Sequence, residues 1–190
     1  MSALRRYLSF RAVNRSDAPG YDPGLQRHHL LPRQLLGQAA FARMLESIGG
    51  HRHRFEDFRE NGLLLPCDEP AALRMGLPLH RGPHRLYSAL VVERVGQIES
   101  SWATMRDKDP QGAAVQAHMR LDLLQRALRR YLLDGQRRRL KLNRRDPSGG
   151  GVDFTELDAM VDALWGSTRA AVAPLAQSMP VRVRSSSFAD

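Results

Sequence analysis

The chain has 190 residues and a net charge of +9, with 29 Lys and Arg against 20 Asp and Glu. That length supports one sizeable core, and the single cysteine excludes an internal disulfide framework. Aromatic residues make up only 6% while Leu, Ala and Arg abound, which favours helices over a sheet-dominated fold.

The N-terminal stretch "MSALRRYLSFRAVNRSD" carries arginines throughout and has no apolar heart, so it does not read as a signal peptide. No run anywhere is long enough to span a bilayer, and a soluble, cytoplasmic protein with no membrane partner is expected. The Pro-, Gly- and Asp-rich "SDAPGYDPG" is a loop. "HHLLP" then reads as a short strand closed by Pro32. In "RQLLGQAAFARMLESIGG" the apolar residues Leu35, Leu36, Ala39, Ala40, Met44, Leu45 and Ile48 recur at helical spacing, and Gly49 and Gly50 stop the helix. "HRHRFEDFRENG" is polar, places His51 and His53 in a solvated loop, and ends in Asn61-Gly62, a strong turn signal. "LLLP" is a second short strand, with Cys67 where that strand gives way to a turn, followed by a loop holding Pro70, Gly76 and Pro78.

From "LHRGPHRLYSALVV" onward a helix is expected, with Leu86, Leu90, Val91, Val95 and Ile98 as its apolar stripe. A second long helix follows, with Asp109 as N-cap, Pro110 as its first residue, Gly135 as its stop, and Val115, Met119, Leu123, Leu124, Leu128, Tyr131 and Leu132 facing a core. His118 sits on its surface. "QRRRLKLNRRD" is a basic run, "PSGGG" a flexible break, and "DFTELDAMVDALWG" a short acidic amphipathic helix ahead of a loose tail. From His118 to Arg145 there are ten Lys or Arg against two Asp, whereas from Asp146 onward three basic residues face six acidic ones. A concentrated basic segment points to a polyanionic partner, most simply nucleic acid, although an arginine-rich solvated helix has the same composition. The organisation read from these signals is an N-terminal arm (1–20), a core (21–108), a basic helical extension (109–145) and a linker with acidic helix and tail (146–190).

Five residues form a chemical set: His28, His29, Asn61, His80 and His84. Adjacent residues of a strand point to opposite faces, so His28 and His29 take different surroundings. His80 and His84 in "HRGPH" are four apart, the separation at which one helix face offers two ligands to one metal ion. Pro83 is tolerated only in a first turn, so His80 lies either in the helix or in its lead-in. A third ligand from elsewhere would leave coordination positions open, the mark of a catalytic rather than a structural metal site.

The three blocks "RHHLLP", "NGLLLP" and "LHRGPHRLYSALV" together resemble the AHH nuclease family of the HNH/endonuclease VII superfamily, over roughly half of the chain. Arg27 stands where the family has the alanine of its name. The resemblance implies an α+β, helix-dominated fold with a ββα-metal (HNH-like) core, here carrying additional C-terminal helices. It also implies one divalent ion (Mg, Mn or Zn) held by His28, His80 and His84. His29 would be the general base that activates water, and Asn61 the asparagine that braces the base or its loop. Spacing alone allows either assignment of the histidine pair. An imidazole has a pKa near 6.5, right for deprotonating water at neutral pH, and a divalent ion supplies charge beside the transition state.

The resemblance further implies an HNH-type endonuclease (a phosphodiesterase) acting on nucleic acid, DNA ahead of RNA. Arg81 and Arg85 flank the ligands and either hold phosphate or are simply solvated, while Tyr87 either donates to phosphate or packs. Arg137, Arg138, Arg139, Lys141, Arg144 and Arg145 are expected to track a nucleic-acid backbone without reading sequence. Relatives are often bacterial toxin modules, which implies an inhibitory or immunity protein as partner. Two rival readings remain: a nucleic-acid-binding protein that kept the fold but lost turnover, and a helical adaptor whose histidines are structural.

Overall fold

The computed structural model describes residues 7–49, 51–82, 84–134 and 141–143, together with Ala159 and Ala163. Strand β1 (Leu25–His29) pairs antiparallel with β2 (Gly62–Pro66), and His28 lies opposite Leu63 while His29 lies opposite Gly62. Between them the chain makes a 3-10 turn (Arg33–Gly37) and three helices, α1 (Ala39–Ile48), α2 (His51–Glu56) and α3 (Phe58–Asn61). Helix α4 (Glu69–Met75), the short strand β3 (Leu79–Arg81), and the long helices α5 (Arg85–Met105) and α6 (Pro110–Leu133) follow. Strand β4 (Lys141–Asn143) pairs parallel with β3, setting Leu142 beside His80. The architecture is the helix-dominated α+β fold expected.

The core is built by periodicity. Helix α5 buries Tyr87, Leu90, Val91, Val95, Ile98 and Trp102, an i, i+3, i+4 pattern that keeps one face inward. Helix α6 answers with Ala113, Ala117, Leu121, Leu124, Leu128, Tyr131 and Leu132, and the two pack together along their length. Leu30, Leu31 and Leu35 enter the same cluster with no exposed surface, so the chain just past the histidine pair is clamped into the core. Asp109 caps α6 by accepting from the Gly112 main-chain N–H at 2.8 Å, as its sequence signature predicts.

Several expectations change. Asn61-Gly62 does not turn a hairpin. Asn61 ends α3 and Gly62 opens β2 in an extended conformation (φ −113°, ψ 150°), at a point where any Cβ would overlap the Phe58 ring. The long excursion of α1 to α3, not a tight turn, joins the strands. His51 and His53 have helical backbone rather than lying in a loop. β1 begins at Leu25, so Leu30 and Leu31 lie past its end. The expected loop around Pro70 contains α4, capped by Asp68, which accepts from Ala71 N–H at 2.7 Å, and closed by left-handed Gly76. Leu35 and Leu36 fall in the 3-10 turn because Gln38 is extended ahead of α1. Leu86 and Val115 are 50% and 54% exposed, since Tyr87 and Ala113 take the inward positions of their helices. Gly135, Arg137, Arg138, Arg139, Arg144, Arg145 and the acidic helix, save Ala159 and Ala163, fall outside the described residues. No described helix is long and apolar enough to cross a membrane.

Candidate metal centre

Strand alternation separates the two adjacent histidines. His28 points into the protein with 1% of its surface exposed, while His29 is half-buried on the other side of β1. His80 comes from β3, and His84 is the residue just before α5. His80 is thus not helical. It reaches His84 across the bend at Gly82, whose φ of +71° suits glycine, and not through a shared helix face. The ring centroids of His28, His80 and His84 stand 4.8 to 5.1 Å apart, and one nitrogen from each lies within 4.8 Å of the others.

The donor set suits a cation. His28 Nε2 and His84 Nδ1 are buried with no hydrogen-bond partner among the described residues, a costly arrangement for polar atoms unless something binds them. His80 Nδ1 lies 3.2 Å from Gln26 Oε1. An amide oxygen only accepts, so Nδ1 carries the proton and Nε2 keeps its lone pair for a ligand. Burial is the first cause that pushes all three imidazoles below their ordinary pKa, with repulsion among them adding at His28 and His80. His80 falls to about 4, so it is neutral and able to coordinate at pH 7. Tyr87 walls the centre: its ring meets the His28 and His84 rings edgewise at 5.0 and 5.1 Å. Its hydroxyl donates to the Leu30 carbonyl at 2.8 Å, so this tyrosine packs and ties down the strand exit.

On the opposite face His29 stacks flat on Phe10, with centroids 3.7 Å apart and planes within 4°. Phe58 meets Phe10 edge-on at 5.1 Å. The arm bearing Phe10 is strapped down where Arg27 donates to the Phe10 carbonyl at 2.9 Å, and where Phe58 N–H donates to the Leu8 carbonyl at 2.7 Å. Burial lowers the pKa of His29, partly opposed by Glu56 and reinforced by Arg33. The result is a neutral imidazole whose Nε2 is buried and has no hydrogen-bond partner among the described residues.

Asn61, fully buried, is not hydrogen-bonded to His29. Its Oδ1 accepts from Leu31 N–H at 2.7 Å and from Gln125 Nε2 at 3.1 Å, and its Nδ2 donates to the carbonyls of Leu31 and Phe55 at 2.9 and 3.2 Å. It pins the main chain two residues beyond His29. Arg81 and Arg85 are exposed beside the centre, and Arg81 donates through Nε to the Cys67 carbonyl at 3.0 Å. Cys67 itself sits at the strand-to-turn junction, its thiol on the Pro23 carbonyl. Lys141 lies on β4 opposite Leu79. Sequence reasoning missed Phe10, Gln26 and Gln125. Each meets its partner only across a long stretch of chain, and such contacts leave no local periodicity to read.

A model of a nuclease family of the HNH/ENDO VII superfamily, described by its conserved AHH, matches residues 9–128. The chain belongs to the AHH family. Neither the curated proteins nor the solved structures contained a match. Membership makes this AHH protein a nuclease, and its substrate nucleic acid. The matched segment runs from just before Phe10 to just past Gln125, so all three missed residues fall inside it. Arg27, in place of the alanine of the AHH signature, turns to the arm and holds the main chain of Phe10.

Proposed function

We propose that this AHH protein is a metal-dependent endonuclease of the HNH type that hydrolyses phosphodiester bonds, in DNA ahead of RNA. The observation that carries the reading is the pair of buried, unpartnered nitrogens, His28 Nε2 and His84 Nδ1, facing the neutral ring of His80. His28, His80 and His84 would hold one divalent ion, which when bound supplies positive charge beside the phosphate and the leaving oxygen. Three histidines suit zinc, while magnesium or manganese would need additional oxygen ligands.

The family resemblance assigns His29 the general base, which would take a proton from water at Nε2, an atom that is buried here on the face of β1 turned away from the metal centre. Phe10 holds that ring in one orientation, and Asn61 holds the chain leading away from it. Tyr87 and Leu30 keep bulk water from the buried side of His28. Arg81 and Arg85 neutralise phosphates flanking the reacting one. The basic extension, from α6 through β4, adds grip on the backbone without reading bases, and the pairing of β4 with the strand of His80 supports that placement.

Isothermal titration of the metal-free protein with zinc and manganese tests the ligand set. One ion per chain is expected, with binding lost in His80→Ala. Binding that survives removal of His80 contradicts the proposed centre. Plasmid and structured RNA offered in parallel to the loaded protein settle the substrate.

A further inference from the structure

A concavity apart from the histidine centre lies on another part of the molecule. It is a cleft of about 570 Å³ between the α2–α3 segment and α6, and one wall carries Gln125, a single hydrogen bond away from Asn61. Four guanidiniums line it: Arg54, Arg59, Arg126 and Arg129.

The carboxylates of this cleft are already engaged. Asp122 is ion-paired with Arg54, which is further held by Gln125 Oε1 at 3.2 Å. Asp57 accepts from the main-chain N–H groups of Leu8 at 3.2 Å and Arg59 at 3.0 Å. Glu60 has a partner of its own, and its charge acts on Arg54 and Arg129, so it offsets part of the positive charge on that side of the cleft. Arg129 is laid along the wall by its own donation to the carbonyls of Arg59 and Glu60, at 2.8 and 3.2 Å. Arg59 and Arg126 remain, both exposed at the opening, and neither side chain has a carboxylate partner among the described residues. Like charges gathered on one concave surface repel unless an anion lies between them, and a low-dielectric cleft focuses their field outward.

We propose that this cleft is a second phosphate-binding site, in which Arg59, Arg126 and Arg129 grip a phosphodiester of the nucleic-acid strand away from the bond being cut. The proposal rests on the nuclease reading for its substrate. Guanidiniums match phosphate oxygens in pairs, and the space suits a backbone segment rather than a bare ion. The cleft gives the enzyme a hold on substrate independent of the metal. Its wall meets the catalytic strand through Gln125 and Asn61, so a strand seated there is registered against the chain following His29.

The test is fluorescence anisotropy of a labelled duplex oligonucleotide with the full chain in chelator, across a range of salt. Wild type is compared with Arg59→Gln/Arg126→Gln and with the charge-conserving Arg59→Lys/Arg126→Lys. The glutamine pair is expected to weaken binding roughly tenfold at 0.1 M salt and to make the slope of log affinity against log salt shallower by about two, since each phosphate contact contributes about 0.9. The lysine pair should keep the slope. Both side chains are exposed, so thermal melting should not change. Unchanged affinity and slope in the glutamine pair overturn the proposal. Saturable binding of inorganic phosphate that depends on the two arginines, with oligonucleotide affinity indifferent to them, overturns it in favour of a free-phosphate site. Plasmid cleavage with metal, measured alongside, separates the two readings. An inactive protein whose oligonucleotide binding still needs Arg59 and Arg126 defeats the endonuclease and leaves the cleft. An active protein indifferent to them does the reverse.

Discussion

Replacing Asn61 by aspartate isolates the brace behind the strand of His28 and His29, because the change conserves volume and opens no cavity. Oδ1 keeps its acceptor contacts with Leu31 N–H and Gln125 Nε2. The amide donors to the Leu31 and Phe55 carbonyls become a second oxygen, so two buried carbonyls lose a partner and face a carboxylate instead. Each buried group left unpaired costs about 1–3 kcal/mol, and an uncompensated buried charge costs more, so a loss of about 3–5 kcal/mol is expected near pH 8. That is a large share of the roughly 5–15 kcal/mol by which domains of this kind are stable. The sign of the pH dependence follows from the site. Burial beside carbonyls raises the pKa of the new carboxyl above its unfolded value of about 3.9, so the variant takes up a proton on folding. The protonated form donates one hydrogen bond, and the gap between variant and wild type should narrow as pH falls from 8 to 5.5. Urea unfolding followed by circular dichroism at both pH values measures the gap directly. A difference under about 1 kcal/mol at pH 8, or one that widens on acidification, would refute this account of Asn61.

Phe10→Leu fills the space but removes the flat contact with His29. An aromatic pair is worth about 0.5–1.5 kcal/mol beyond its burial, so kcat should fall between about twofold and tenfold with KM nearly unchanged, and Phe10→Tyr should restore it. A variant that loses only thermal stability, with kcat intact, would make Phe10 a packing residue. In chelator, the metal-free protein should lose stability on acidification. His80 has a folded pKa of about 4 against 6.5, so its contribution is whole above pH 6.5 and drains away as pH falls toward 4. For His80 alone that is about 2 kcal/mol between pH 7.5 and 5, with His28 and His84 acting in the same direction. A urea midpoint that holds steady or rises over that interval would contradict burial of neutral imidazoles.

Much of the site was legible because its residues carry their own chemistry. Histidines beside a strand and a helix start announced themselves, and the caps of α6, Asp109 and Pro110, were readable from local rules alone. Failures came where a distant partner redirected a local signal. Asn61-Gly62 has the composition of a hairpin turn, yet Asn61 spends its amide on Leu31, thirty positions back, and Gly62 is required by the Phe58 ring. His80 and His84 have helical spacing, but β4 recruits His80 into a strand and Gly82 makes the bend. Helix α4 had its cap at Asp68 and its stop at Gly76, but it buries only Ala71, too little apolar surface to show as a stripe. Phe10 lies in a polar arm, and nothing near it in sequence hints that it covers His29.

The most direct measurement is nicking of supercoiled plasmid by the purified protein with magnesium, manganese or zinc, with chelator, and with His28→Ala and His29→Ala beside it. Relaxed and linear plasmid should form with metal and not with chelator. His28→Ala should be inactive for want of metal. His29→Ala should still bind the ion yet cleave at least about a hundredfold more slowly, as loss of a general base requires. Cleavage that persists in chelator, or that is indifferent to either histidine, would contradict a metal centre at His28, His80 and His84 served by His29.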